Sequence, residues 1–200
     1  MTETLAGTAH ATQAVVPRPG VRYTYEDYRR TPDDERFELL DGELIVVPAP
    51  RVDHQRIVLR LASLLDAFVE ERRLGVVLLA PCDVVLSDTD VVQPDVLFVA
   101  AERAHIIVPE NVRGAPDLVV EVLSSSSAKR DRIEKRALYA KHAVREYWQV
   151  DVGAGTLTVL RLADTRFEID GVYGKGRTVT SPSLPGLRFA LDRVFRSPRY

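Results

Sequence analysis

Two hundred residues make one ordinary domain with room for short tails. Hydrophobic residues at 46 % and charged residues at 28 % describe a globular chain, and they exclude a wholly disordered protein, a collagen-like fibre and a disulfide scaffold. A net charge of −2 excludes a uniformly basic nucleic-acid binder, so any nucleic-acid contact must come from a local patch.

Residues 1–21 are small, polar and aperiodic, and read as a disordered leader with no secretory signal. Thr24 then offers an N-cap to a short helix with Glu26 and Asp27 in its first turn. Asp41-Gly42 between apolar runs is the signature of a two-residue hairpin turn, which pairs Phe37–Leu40 with Glu43–Val47. From His54 to Arg73 the residues Ile57, Val58, Leu61, Leu64, Leu65 and Phe68 follow one face of a helix about five turns long. Asp53 is placed to cap its start. Strands are expected at Val76–Ala80, Asp83–Leu86 and Asp95–Ala100, then loop or irregular helix over 102–116. The longest apolar runs are strand-length, far from the roughly 18–20 residues of a membrane span. Cys82 stands alone, which excludes an internal disulfide and a cysteine metal cluster. The chain therefore reads as cytoplasmic, with no membrane partner.

Asp117–Leu123 is a strand apolar on both faces, hence central in its sheet. Ser124–Ser127 then cap a helix expected from about Ala128 to His142. The stretch from Lys129 to Arg145 holds seven basic residues against Asp131 and Glu134, a local +5 in a chain of net −2. Glu146–Asp151 is the next strand. Thr156–Leu162, Arg166–Ile169 and Thr178–Thr180 form an antiparallel meander, closed by the loop 181–186. The order predicts an α/β or α+β domain, with helices packed on a central mixed sheet. No Gly-rich dinucleotide or phosphate-loop motif is present.

Glu121 is the residue that least fits its surroundings, because a carboxylate within an apolar strand is costly unless paired or metal-bound. The alternative is an edge strand with Glu121 in solvent. Asp95 opens a second apolar strand after Pro94, where an entry turn is the simpler reading. Two acids on neighbouring buried strands suit a hard cation, which takes one or two protein carboxylates, water and phosphate oxygens. Lys135 lies two turns into the following helix, either as the cation of such a site or paired with Asp131 four residues back.

Pro94-Asp95 followed by Glu121-Val122-Leu123 resembles the PD-(D/E)XK nuclease superfamily, and the chain is more closely similar to the bacterial restriction-endonuclease family called Uma. Phe37–Glu43, His54, Val92–Val96, Ala115–Ser124, Asp131–Lys135, Tyr139 and Glu146–Asp151 carry that resemblance in order, across roughly residues 22–192. A C-terminal tail of 193–200 is left outside the domain. The lysine of the superfamily motif is replaced by Leu123, and the family's displaced lysine matches Lys135, with Lys129 as second choice.

The resemblance implies a restriction-endonuclease-like fold and metal-dependent hydrolysis of DNA phosphodiester bonds. Asp95 and Glu121 would hold Mg²⁺ or Mn²⁺, Lys135 would stabilise developing charge, and Glu38 would assist the metal or its water. Glu38 also reads as a plain hairpin residue. Arg130, Arg132 and Arg136 are candidates for flanking phosphates, and a homodimer is expected, with the C-terminal meander as its contact surface. Two rivals remain at this level: a nuclease-fold DNA-binding accessory protein that does not cleave, and a hydrolase of small phosphoesters. His54 reads as a hydrogen-bonding residue at a helix start, and Tyr139, Tyr147 and Trp148 as core aromatics.

Overall fold

The computed structural model describes residues 15–32, 34–123 and 130–196, without the side chains of residues 130 and 131. The Ser124–Ser127 cap, the helix start near Ala128, Lys129, the side chains of Arg130 and Asp131 and the first fourteen residues of the leader lie outside that description. The elements in order are α1 (Tyr25–Tyr28), β1 (Phe37–Leu40), β2 (Glu43–Val46), α2 (Val52–Arg72), β3 (Gly75–Leu79), β4 (Val84–Ser87), β5 (Asp90–Val92) and β6 (Val96–Ala100). A 3₁₀ turn (Ala101–Ile106) leads to β7 (Val112–Arg113) and β8 (Leu118–Leu123). A π-type turn (Arg130–Glu134) opens α3 (Lys135–Lys141). The rest is β9 (Glu146–Asp151), β10 (Thr156–Ala163), β11 (Arg166–Tyr173), β12 (Thr178–Thr180), β13 (Arg188–Ala190) and α4 (Asp192–Phe195).

Six strands form the central mixed sheet in the order β11-β10-β9-β8-β6-β3, with β8 and β9 parallel and the other pairs antiparallel. The two-residue period sends Val96, Phe98, Val120, Val122, Trp148 and Val150 to one face, where they pack on α2 through Ile57, Leu61 and Leu65. Leu97, Val99, Val119 and Tyr147 go to the other face. That face is covered by α3 and by a second sheet, ordered β2-β1-β5-β4-β7. The outer side of this second sheet closes on Tyr23 and Tyr28, around α1.

Local signals explain much of this. Asp41 and Gly42 both take positive φ, 48° and 76°, as a type I′ turn requires, and the hairpin registers Leu40 with Glu43. Thr24 and Asp27 form a reciprocal capping box at α1. Strand β8 is buried along its whole length and lies between β6 and β9, so the edge-strand alternative for Glu121 is ruled out.

Several boundaries move. Helix α2 starts earlier than expected, so Asp53 lies inside its first turn and Arg51 occupies the N-cap without a side-chain bond. The end of the expected leader is ordered: Val15 N–H donates to Arg30 O at 2.9 Å, and the Tyr23 hydroxyl donates to Val16 O at 2.9 Å. Within the expected tail, α4 buries Val194 in the core against α2, and residues 197–200 lie outside the described residues. Strands β5, β7 and β13 are too short to carry a readable alternation. Thr178–Thr180 leaves the meander and pairs with β13 as a two-stranded sheet.

Candidate active site

The last register pair between β6 and β8 is Val96 with Val120. The next residues along this ladder are Asp95, in the bend just before β6, and Glu121, in β8. Asp95 is held there by the β8 backbone: Val122 N–H donates to its Oδ2 at 2.7 Å. His54, from the first turn of α2, brings Nε2 to 3.2 Å from the same oxygen.

Lys135 opens α3, and its side chain is only 5 % exposed. Its Nζ lies 2.8 Å from Glu121 Oε1 and 2.8 Å from Glu38 Oε1, and so ties the central sheet to the second one. The alternative pairing with Asp131 lies outside the described side chains. Glu38 sits in β1 and is as buried as Glu121. Its Oε1 also accepts from Gln93 N–H at 2.9 Å. Gln93 is oriented in turn by its own side chain, which donates to Asp83 Oδ1 at 2.8 Å.

Tyr139 completes the group. It follows Lys135 by four residues, one turn along the same face of α3. Its hydroxyl donates to Glu121 Oε1 at 2.6 Å. Complete burial, and then the nearby Glu121 and Glu38 carboxylates, push the Tyr139 hydroxyl well above its usual pKa, so it stays a donor. In the sequence Tyr139 reads as a core aromatic and as one of the positions that carry the family resemblance. The i,i+4 spacing from a buried lysine was the available signal for more.

The other basic candidates have different partners. Arg136 donates to Phe167 O at 2.6 Å, a backbone contact that fastens α3 to β11. Arg132 pairs with Asp151 at the C-terminal end of β9. Neither guanidinium joins the carboxylate group in this arrangement. Asp95, Glu121, Glu38 and Lys135 do come together, with Gln93, His54 and Tyr139 as their supports.

The donor set suits a hard divalent ion. Three carboxylates against one ammonium leave a formal charge of −2. Among the described residues, no three His, Cys, Asp or Glu side chains stand close enough to hold an ion unaided. Two carboxylates with water and substrate oxygens are what Mg²⁺ ordinarily takes.

A family model described as Uma2, "putative restriction endonuclease", matches residues 24–192. The chain belongs to the Uma2 family. An uncharacterized protein of Synechocystis sp. (strain ATCC 27184 / PCC 6803 / Kazusa) is 25 % identical over 118 residues, covering 58 % of this chain and 67 % of that one. The crystal structure of a putative nuclease belonging to DUF820 from Anabaena variabilis ATCC 29413 superposes with a TM-score of 0.73. It is 20 % identical and covers 86 % of this chain and 97 % of its own, so it shares the fold. The matched Uma2 region contains every residue of the carboxylate–lysine group. Among the described residues, no helix is long and apolar enough to cross a membrane.

Proposed function

We propose that this Uma2 protein is a metal-dependent endonuclease that hydrolyses DNA phosphodiester bonds at the Asp95–Glu121–Lys135 group. The observation that carries the reading is Lys135 Nζ at 2.8 Å from Glu121 Oε1. A lysine from the next helix thereby reaches the Glu121 carboxylate, while Leu123 stands where the superfamily motif has its lysine. A lysine ammonium is a point charge suited to a phosphate oxygen.

Asp95 and Glu121 are the residues that would hold Mg²⁺ or Mn²⁺. Such an ion polarises the scissile phosphate and acidifies a bound water. Val122 N–H and His54 orient the Asp95 carboxylate, and Tyr139 orients that of Glu121. Lys135 offsets charge that builds on the phosphate in the transition state. Glu38 holds Lys135 from the far side and would assist the metal or its water. Arg130 and Arg132, at the start of the same helical segment, are candidates for flanking phosphates, while the bond from Arg136 to Phe167 argues for a structural role.

The test is plasmid nicking with Mg²⁺ or Mn²⁺, compared in Asp95→Asn, Glu121→Gln and the parent protein, each checked for fold by circular dichroism. Cleavage in the parent, abolished by a chelator and by either substitution, is expected. Cleavage that survives both substitutions refutes the site. A second reading is a DNA-binding accessory protein of the same fold, favoured by the closed Glu38–Lys135–Glu121 bridge, which leaves Lys135 already engaged. DNA binding with no cleavage under either metal would select it.

A further inference from the structure

Helices α2 and α4 and strand β13 border an open groove of about 640 Å³. Arg60, Arg72, Arg188, Arg193 and Arg196 line it, against Glu71 alone. Glu71 is taken by its neighbour Arg72 at 2.8 Å. Among the described residues no carboxylate pairs with Arg188, Arg193 or Arg196. The floor is apolar, from Leu59, Leu64 and Phe68, with the Arg72 guanidinium 4.1 Å over the Phe68 ring.

This is an uncomfortable arrangement for an empty surface. Burial, and then the nearby Arg56 and Arg196 guanidiniums, lower the pKa of Arg60, whose own guanidinium donates to Val194 O and Arg196 O. The crowding is relieved by a polyanion. Arginine forks match phosphate oxygens in bidentate geometry. Deoxyribose faces can rest on the exposed Leu59 and the half-buried Leu64 and Phe68 between phosphates. A second copy docked here about a two-fold axis would set arginine against arginine. The groove also starts close to the chemistry. Arg60 lies six residues beyond His54 on α2, roughly 9 Å along the axis, and Arg72 roughly 27 Å.

We propose that this arginine groove binds the sugar–phosphate backbone of the DNA substrate at a distance from the scissile bond. The inference rests on the endonuclease reading and deepens it. Its role is to hold a flank of the duplex, so short substrates gain nothing from it.

The test uses the full chain and a labelled 30-base-pair duplex without divalent ion, titrated at several salt concentrations by fluorescence anisotropy. Replacing Arg188, Arg193 and Arg196 together by Ala is expected to weaken binding by tenfold or more. It should also lower the slope of log K against log salt by about 2–3, since each phosphate contact contributes about 0.9. With metal, cleavage of a 30-base-pair duplex slows while that of a 10-base-pair duplex does not. Arg193→Glu alone serves if the triple variant does not fold. Unchanged affinity and slope in a parent that binds or cuts DNA overturn the groove and leave the endonuclease reading intact. A parent that neither binds nor cuts DNA overturns both. Poly-glutamate binding that the variant loses, with DNA affinity unaltered, assigns the groove to an acidic protein partner and also overturns the proposal.

Discussion

Lys135 is a buried cation between two buried carboxylates, and its energetics follow from that position. The pair as a whole adds little stability, because desolvation offsets the attraction. Removing one member is different, since it leaves unpaired charge in the interior. Lys135→Met should lose about 3–5 kcal/mol of unfolding free energy in urea titration, as well as cleavage. Tyr139→Phe removes one hydrogen bond to a charged oxygen and keeps the ring packed against Tyr147 at 5.1 Å. It should cost about 1.5–3 kcal/mol in the same titration and reduce the cleavage rate without changing DNA affinity. An unchanged rate would make the hydroxyl purely structural. The carboxylate and the lysine were readable in the sequence because each is chemically out of place or matches a motif. Gln93 was not, since it acts through its backbone N–H, and no side-chain chemistry announces that.

Among the elements, β3 depends on one residue at its start. Gly75 has φ +153°, and a Cβ there would stand 2.1 Å from Val99 O. Gly75→Ala must push β3 away from β6, and a loss of about 3 kcal/mol is expected, the upper end for overpacking. A midpoint in urea unchanged from the parent would contradict this. Helix α3 is fastened at its far end by Asp90, which is fully buried and accepts from His142 Nε2 at 2.8 Å and Lys141 Nζ at 3.0 Å. Burial alone would raise the Asp90 carboxyl. The bonds from Asp41 N–H, His142, Lys141 and Ser87 outweigh it and hold the pKa below the ordinary 3.8. Folding therefore favours the ionised form. The Asp90 contribution is complete above about pH 3.8 and is lost as the pH falls through the lower folded-state value. Urea titrations at stepped pH should show stability falling on that acid side, and Asp90→Asn should remove part of the slope. The long helix and the hairpin were legible because each repeats its period or carries its own turn residues. Strands β5 and β7 were not, because two or three residues define no period and only partners distant in sequence make them strands.

At the scale of the whole molecule, the outer strand β11 leaves the central sheet with an open edge that carries exposed Ile169 and Val172. Unpaired edges of this kind invite another strand, which supports the homodimer as a proposal. Ile169→Arg is expected to convert a dimer into a monomer in analytical ultracentrifugation. A parent that sediments as a monomer removes the proposal. The arginine groove sets five guanidiniums against one carboxylate in a chain of net −2, so the average charge hides a local excess of positive charge. Sequence alone determined the mixed α/β class, the central strand with Glu121 and the Asp95–Glu121–Lys135 candidates, because periodicity and misplaced charge are local properties. Only the tertiary structure decided that the strands divide among three sheets, that Glu38 reaches Lys135 across the two larger ones, and that arginines from α2, β13 and α4 share one groove. Those are contacts between residues tens of positions apart, fixed by packing and register, and no local pattern encodes them.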